Sequence, residues 1–176
     1  MSIHRLNHAV LYIRDVARSV AFYRDVLGFE VVHEIGGKAA FLRADGSTND
    51  HDLGLFEIGA QAGASGAGRS SVGLYHLAWE VETLRDLEVL AGKLSAAGAL
   101  VGASDHSTTK SLYGVDPDGL EFEIAWVVPA ALLDEAAIAG RAGIQPLDLA
   151  GEMARYGADT PGGYGISRAQ TADDRP

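Results

Sequence analysis

The chain has 176 residues, 47% apolar and 22% charged, the mix of one ordinary folded domain with a small remainder. Lys and Arg number 14 against 24 Asp and Glu, and the net charge of −10 excludes the basic stripe of a nucleic-acid binder and a surface made for anionic lipid. Cysteine is absent, which excludes disulfide scaffolds, thiolate metal sites and cysteine nucleophiles.

Charged residues at Arg5, Arg14, Asp15, Arg18 and Arg24 leave no apolar core for a secretion signal. No apolar run approaches the roughly 20 residues of a membrane span, so a soluble, cytoplasmic protein without a membrane partner is expected. From His4 to Ile13 the residues alternate as in a strand, with Leu6, His8, Val10 and Tyr12 on one face. Val16, Val20, Tyr23 and Leu27 then fall at helical spacing, with Asp15 as N-cap and Gly28 as the left-handed stop. Strands are predicted over Phe29 to Glu34, Ala39 to Arg43 and His51 to Ile58, separated by Gly36-Gly37 and the polar turn Asp45 to Asp50. Gln61 to Ser71 is rich in Gly, Ala and Ser and reads as a flexible connector.

The pattern then restarts. Leu74 to Val81 is a predicted strand carrying His76, and Leu84 to Ala97 a helix ending at Gly98. Strands follow at Leu100-Val101, Ser111 to Val115 and Leu120 to Val127, the last pair joined by the turn Asp116-Pro117-Asp118-Gly119. Two β-α-β-β-β blocks therefore form a repeat. His8 and His76 stand 68 positions apart, and Phe56-Glu57-Ile58 and Phe122-Glu123-Ile124 stand 66 apart. Ala130 to Arg141 and Pro146 to Tyr156 are predicted helices, with Pro146 suited to a helix start. From Gly157 onward the composition predicts a mobile end.

Strand alternation assigns faces. Leu77, Trp79 and Val81 form one apolar face, and Phe122, Ile124 and Trp126 another, each suited to packing under a helix. His76 and Glu123 then point the other way, and His8 opens the equivalent strand of the first block. Two His and one carboxylate with open positions are the facial triad of non-haem iron(II) oxygenases, although Mn, Ni or Zn suits the same donors.

Leu6-Asn7-His8-Ala9-Val10 followed by Phe22-Tyr23-Arg24-Asp25-Val26-Leu27-Gly28-Phe29 resembles the N-terminal signature of the vicinal oxygen chelate superfamily. That superfamily holds glyoxalase I, bleomycin and fosfomycin resistance proteins and type I extradiol dioxygenases. Asp116 to Glu123 resembles its closing strand. The resemblance implies an α+β fold: two βαβββ modules, about residues 3–60 and 72–128, forming a partly open β-barrel around a metal site. Residues 1–129 would be the domain and 130–176 a C-terminal helical tail. It also implies His8, His76 and Glu123 as the metal ligands. Such modules pair within a chain or between chains, so a homodimer is compatible with the pattern.

Gly73 to Ala78 resembles the ligand strand of catechol 2,3-dioxygenase relatives. Asp105-His106 with Ser111-Leu112-Tyr113 resembles the extradiol segment that supplies a pocket His and Tyr. Asn49 to Phe56 resembles the segment with the acid–base His, where relatives often carry two adjacent His and this chain has His51 followed by Asp52. These similarities imply an Fe(II)-dependent extradiol dioxygenase taking a small aromatic diol and O2. His51 would be the acid–base residue. His106 would bind substrate or stabilise an oxygen intermediate, and Tyr113 would hydrogen-bond the substrate oxygen. Glu57 keeps a second reading open. As repeat mate of Glu123, and by alternation on the face of His51, it would make a fourth ligand with His8, His76 and Glu123, as in glyoxalase I. A third reading is a drug-binding resistance protein, whose members generally lack the ligand triad.

Overall fold

The computed structural model describes residue 3 and residues 5–68 and 70–163. The chain divides into two compact units: Met1–Ser71 with Asp116–Leu120, and Val72–Val115 with Glu121–Pro176. No helix among the described residues is long and apolar enough to cross a membrane.

The first unit runs β1 (Ala9–Ile13), α1 (Val16–Asp25), β2 (Glu30–Ile35), β3 (Ala39–Arg43) and β4 (Leu53–Glu57), the predicted β-α-β-β-β block. Its open sheet has the order β1-β4-β3-β2, with β1 parallel to β4 and the other pairs antiparallel. The parallel pair exists because α1 provides the crossover a parallel connection requires. Leu11 and Ile13 of β1 and Leu53 and Leu55 of β4 are buried, as are Val16, Val20 and Tyr23 of α1. The alternate residues Val10 and Tyr12 are exposed, and Phe56 partly so. Asp15 caps α1 by accepting from the Arg18 N–H at 2.8 Å, and Gly28 ends the segment at φ 82°, where a Cβ would be strained.

The turn Asp116–Leu120 belongs to this unit and is fastened by charge. Asp118 accepts from Arg14 Nη1 at 2.8 Å, Arg18 Nη2 at 2.7 Å and the Arg14 N–H at 3.1 Å. Burial works against ionisation of Asp118, but the Arg14 N–H, the Arg14 guanidinium and Arg18 hold its carboxyl below the usual value. Asp116 accepts from the N–H groups of Asp118 and Leu120 and from the Tyr23 hydroxyl at 3.2 Å. Burial, followed by the Asp116 charge, pushes the Tyr23 phenol well up, so it remains a donor.

The second unit repeats the block with β5 (Leu77–Glu80), α2 (Leu84–Ala96), β6 (Leu100–Asp105), β7 (Thr109–Val115) and β8 (Glu121–Val127). A capping box joins Thr83 and Asp86 at the start of α2. A 3-10 turn (Ala130–Leu132), α3 (Glu135–Gly140), β9 (Gln145–Pro146) and α4 (Leu149–Tyr156) follow. The sheet order is β5-β8-β7-β6-β9. Pro146 therefore does not open a helix. It sits against Ser104 of β6 in β9, the edge strand of the sheet, a place where a missing N–H costs little. Asp148 caps α4 instead, accepting from the Gly151 N–H at 3.0 Å.

Gly157 to Gly163, expected to be mobile, are fastened to the unit. Thr160 O accepts from Trp126 Nε1, Glu82 O accepts from the Gly162 N–H, and Val127 O accepts from the Gly163 N–H. Residues 164–176 lie outside the described residues, as does His4, where the first strand was expected to begin. Beneath α4, Lys110 of β7 is fully buried between Asp105 at 2.5 Å and Glu152 at 2.8 Å, 5.7 Å from the Tyr156 ring. A buried ammonium is tolerated only with such partners.

Two outcomes follow from these ion pairs. A depressed carboxylate stabilises the fold above its unfolded pKa, about 3.9, and that contribution disappears as pH falls through the folded value. Asp118→Asn should therefore lower the urea midpoint at pH 7 and narrow the gap to the natural chain below about pH 4. Glu152→Ala should lower unfolding stability by roughly 1–3 kcal/mol, the scale of leaving a buried group short of a partner, measured by urea titration at pH 7.

Candidate metal centre

The second unit gathers its chemistry on one sheet face. Residues paired across strands share a face, and Leu77 pairs with Phe122, Trp79 with Ile124 and Leu112 with Ile124. Phe122, Ile124 and Leu112 are buried. Ala78 pairs with Glu123 and Tyr113 with Glu123, and Ser111 pairs with Ala125. Glu123, Tyr113 and Ser111 therefore stand on the opposite face, as alternation predicted for Glu123. His76 immediately precedes β5, one residue outside the ladder.

Here His76 Nε2 lies 3.1 Å from Glu123 Oε2. The other carboxylate oxygen, Oε1, accepts from Ser111 Oγ at 2.5 Å, and Ser111 is fully buried. His76 Nδ1 is buried without a hydrogen-bond partner. Tyr75 covers the His76 ring with centroids 4.6 Å apart, and the Tyr113 ring lies 6.1 Å away. His106, in the turn between β6 and β7, shares a 2.8 Å hydrogen bond between Nε2 and Tyr113 Oη. Burial, followed by the Glu123 charge, raises the Tyr113 phenol above its usual pKa, so it is a neutral hydroxyl at pH 7. The predicted residues His76, Glu123, His106 and Tyr113 are thus brought together in this unit. Ser111 was not singled out from the sequence, although its parity with Tyr113 on a strand facing Glu123 was the available signal.

The first unit brings together His8 and His51. Their rings lie 4.7 Å apart, and Phe41 stands edge-on to His51 at 5.0 Å. The cause is a loop built around Asp52, which accepts from the Ala44 N–H at 2.9 Å, Ser47 Oγ at 2.8 Å and Asn49 Nδ2 at 2.6 Å. Burial opposes ionisation of Asp52, yet these donors hold its carboxyl below the usual value. Asn49 Nδ2 also donates to Asn7 O at 2.8 Å, drawing the residue before His8 to the same loop. Asp52 thus anchors the loop that presents His51. His51 lies ahead of β4, and His8 directly ahead of β1; both are flanking positions rather than strand interior.

Glu57 is corrected on two counts. It pairs with Ile13, on the buried face with Leu53 and Leu55, opposite to Val10, Tyr12 and Phe56. Its oxygens are taken by Lys38 Nζ at 2.6 Å and the Val16 N–H at 3.1 Å, so it secures the start of α1. It is also not the structural mate of Glu123. Glu123 pairs with Ala78, two residues after His76, and the residue paired with Val10, two after His8, is Gly54. The Phe-Glu-Ile match in the sequence misaligned the two blocks by three residues. Where the second block carries a carboxylate, the first carries no side chain.

Within either unit, the described residues gather no group of three His, Asp or Glu side chains that could hold a metal ion. His76 and Glu123 nonetheless fit one. An imidazole nitrogen and a carboxylate oxygen turned toward each other at 3.1 Å offer the N and O donors a divalent first-row metal takes. Glu123 Oε1 is already held by a hydrogen bond, the usual support of a metal-binding carboxylate.

The profile of the Glyoxalase/Bleomycin resistance protein/Dioxygenase superfamily matches residues 5–124, and the chain belongs to this superfamily. It is 35% identical over 126 residues to a catechol-2,3-dioxygenase of Bacillus subtilis (strain 168), covering 70% of this chain and 42% of the relative. It is 30% identical over 130 residues to a manganese-dependent 2,3-dihydroxybiphenyl 1,2-dioxygenase of Geobacillus genomosp. 3, covering 72% and 38%. The chain thus spans less than half the length of these relatives. Among solved structures, a glyoxylase/bleomycin resistance protein/dioxygenase domain from Frankia sp. EAN1pec has the same fold, with TM-score 0.57, 24% identity and coverage of 70% and 92%.

The position of Glu57 has a direct test. Glu57→Gln should leave the stoichiometry and affinity of Mn(II) binding unchanged, measured by calorimetry, because its oxygens serve Lys38 and α1. Loss of metal in that variant would contradict the assignment.

Proposed function

We propose that this chain is an extradiol ring-cleaving dioxygenase that uses a divalent metal, Fe(II) by preference, to open a catechol-type ring with O2. The observation that carries the reading is the shared sheet face on which Glu123, beside His76, directly neighbours Tyr113, itself hydrogen-bonded to His106. The names of the two dioxygenase relatives support it. In the proposal His76 and Glu123 hold the metal, with His8 as the third ligand. The bound metal supplies Lewis acidity to the diol and a place where diol and O2 meet.

The side chains carry the proton traffic. Loss of a proton from the diol needs a nearby base, and His51 is the imidazole assigned to it. Tyr113 is a neutral donor able to hydrogen-bond a substrate oxygen as its charge grows, and His106 orients that hydroxyl through Nε2. Tyr75 and Phe41 offer aromatic surface next to His76 and His51 respectively. In balance, one C–C bond beside the diol breaks and both atoms of O2 enter the product, one as a carboxylate oxygen and one as a carbonyl oxygen. The ring-opened semialdehyde is yellow.

A glyoxalase-type reaction is less well supported. Its fourth ligand would come from the first block, where Gly54 stands at the matching position and Glu57 faces α1. The His106–Tyr113 pair would also have no task in it. A binding protein that only sequesters a drug would have no need of the His76–Glu123 pair.

Anaerobically prepared protein loaded with Fe(II) or Mn(II) should consume O2 on addition of catechols and develop a yellow product. His76→Ala and Glu123→Gln should abolish turnover. Tyr113→Phe and His51→Ala should each lower kcat by roughly 100-fold or more, the scale of a lost hydrogen-bond donor to developing charge in the first and of a lost proton-transfer group in the second. Formation of a lactoylglutathione-type thioester with Ni(II) or Zn(II), and no O2 uptake with any catechol, would overturn the reading.

A further inference from the structure

Ser111 has no part in the roles assigned above, yet it is one of four polar or charged residues buried in the described chain, with Ser19, Lys110 and Asp116. Lys110 is paired with Asp105 and Glu152, and Asp116 with Tyr23 and two N–H groups. Ser19 Oγ has no partner. Ser111 spends its hydroxyl on Glu123 Oε1 at 2.5 Å.

The register explains how so short a side chain reaches. Ser111 pairs with Ala125, and Glu123 lies diagonally across the same face. Diagonal neighbours in an antiparallel pair are within reach when one side chain is long, and Glu supplies that length. The small Ala125 leaves the path open. With Oε1 tied, rotation of the carboxylate about its last bond is restricted, and Oε2 is the oxygen presented to His76 Nε2 at 3.1 Å. A free carboxylate would exchange its two oxygens and bind with one or both. A tied one offers one oxygen in one direction.

We propose that Ser111 is a positioning residue for metal binding: its buried hydroxyl selects Oε2 of Glu123 as the single oxygen offered beside His76. The inference rests on the reading of Glu123 and His76 as metal ligands. Removing such a supporting partner typically costs roughly 10- to 100-fold in metal affinity. The hydroxyl also acts on the Tyr113 phenol, so metal affinity, rather than turnover, is the property that isolates its effect on Glu123. Tyr113, on the same face, keeps its own hydrogen bond to His106.

The test uses Mn(II) as the probe, with affinity measured by calorimetry and the ion's environment followed by its paramagnetic resonance spectrum. Ser111→Ala should bind Mn(II) at least 10-fold more weakly than the natural chain and give a broadened spectrum, with an unchanged circular dichroism spectrum. Ser111→Thr, which keeps the hydroxyl, should restore affinity to within about threefold, an outcome a merely space-filling role would not give. If the natural chain binds Mn(II), Glu123→Gln abolishes binding and Ser111→Ala binds as tightly as the natural chain, the inference fails while the ligand reading stands. If the natural chain binds neither Mn(II) nor Fe(II), the ligand reading itself falls and takes the inference with it.

Discussion

One face of each sheet is given up to helices, and the other functional features follow from that burial. In the first unit Leu11, Ile13, Leu53 and Leu55 go under α1; in the second Phe122, Ile124 and Leu112 take the equivalent positions. Side chains alternate with a period of two, so burying one set commits the other to the opposite face. A register slip of one residue would move Glu123 among the helix-facing apolar residues and leave Ile124 in its place. The energetic penalty for that exchange is the desolvation of a carboxylate combined with exposure of apolar surface. The face on which Glu123 stands is thus secured by its neighbours in sequence, and its contact with Ser111 orients only the carboxylate at its tip.

The two blocks share this plan but use it differently. The second places a carboxylate opposite Ala78 and supports it with Ser111, Tyr113 and His76. The first places Gly54 opposite Val10 and leaves that position empty of donor atoms. Its histidines come from the edges instead, His8 ahead of β1 and His51 from a loop folded around Asp52 and Asn49. Glu57, which looked chemical in the sequence, secures the start of α1, and Asp52, where relatives often carry a second His, ties a loop. The C-terminal segment also has a packing role, since β9 covers the edge of β6 and Glu152 neutralises the buried Lys110. Covering an edge removes unpaired N–H and C=O groups that would otherwise template association.

Periodicity made the repeated β-α-β-β-β order legible, along with the faces of His76 and Glu123 and the caps of α1. These are local properties: apolar spacing, an Asp before a helix, a Gly after it. The family motifs carried the pairing of His106 with Tyr113, which no local rule gives because the two are seven residues apart across a turn and a strand. Alignment of the two blocks failed at Glu57, because Phe-Glu-Ile recurs by composition while strand pairing follows the hydrogen-bond ladder. Pro146 misled for a similar reason. Its fixed φ suits a helix start and an edge strand alike, and only the neighbouring strand decides between them.

By itself the sequence determined which residues face a helix and which do not, since apolar period and turn chemistry act within a few residues of one another. Tertiary structure alone decided which polar groups meet: Ser111 with Glu123, Lys110 with Glu152, and Gly54 rather than Glu57 at the position matching Glu123. Those outcomes depend on register between strands and on segments distant in the chain, and hydrogen-bond geometry in a folded sheet selects them with a resolution of one residue.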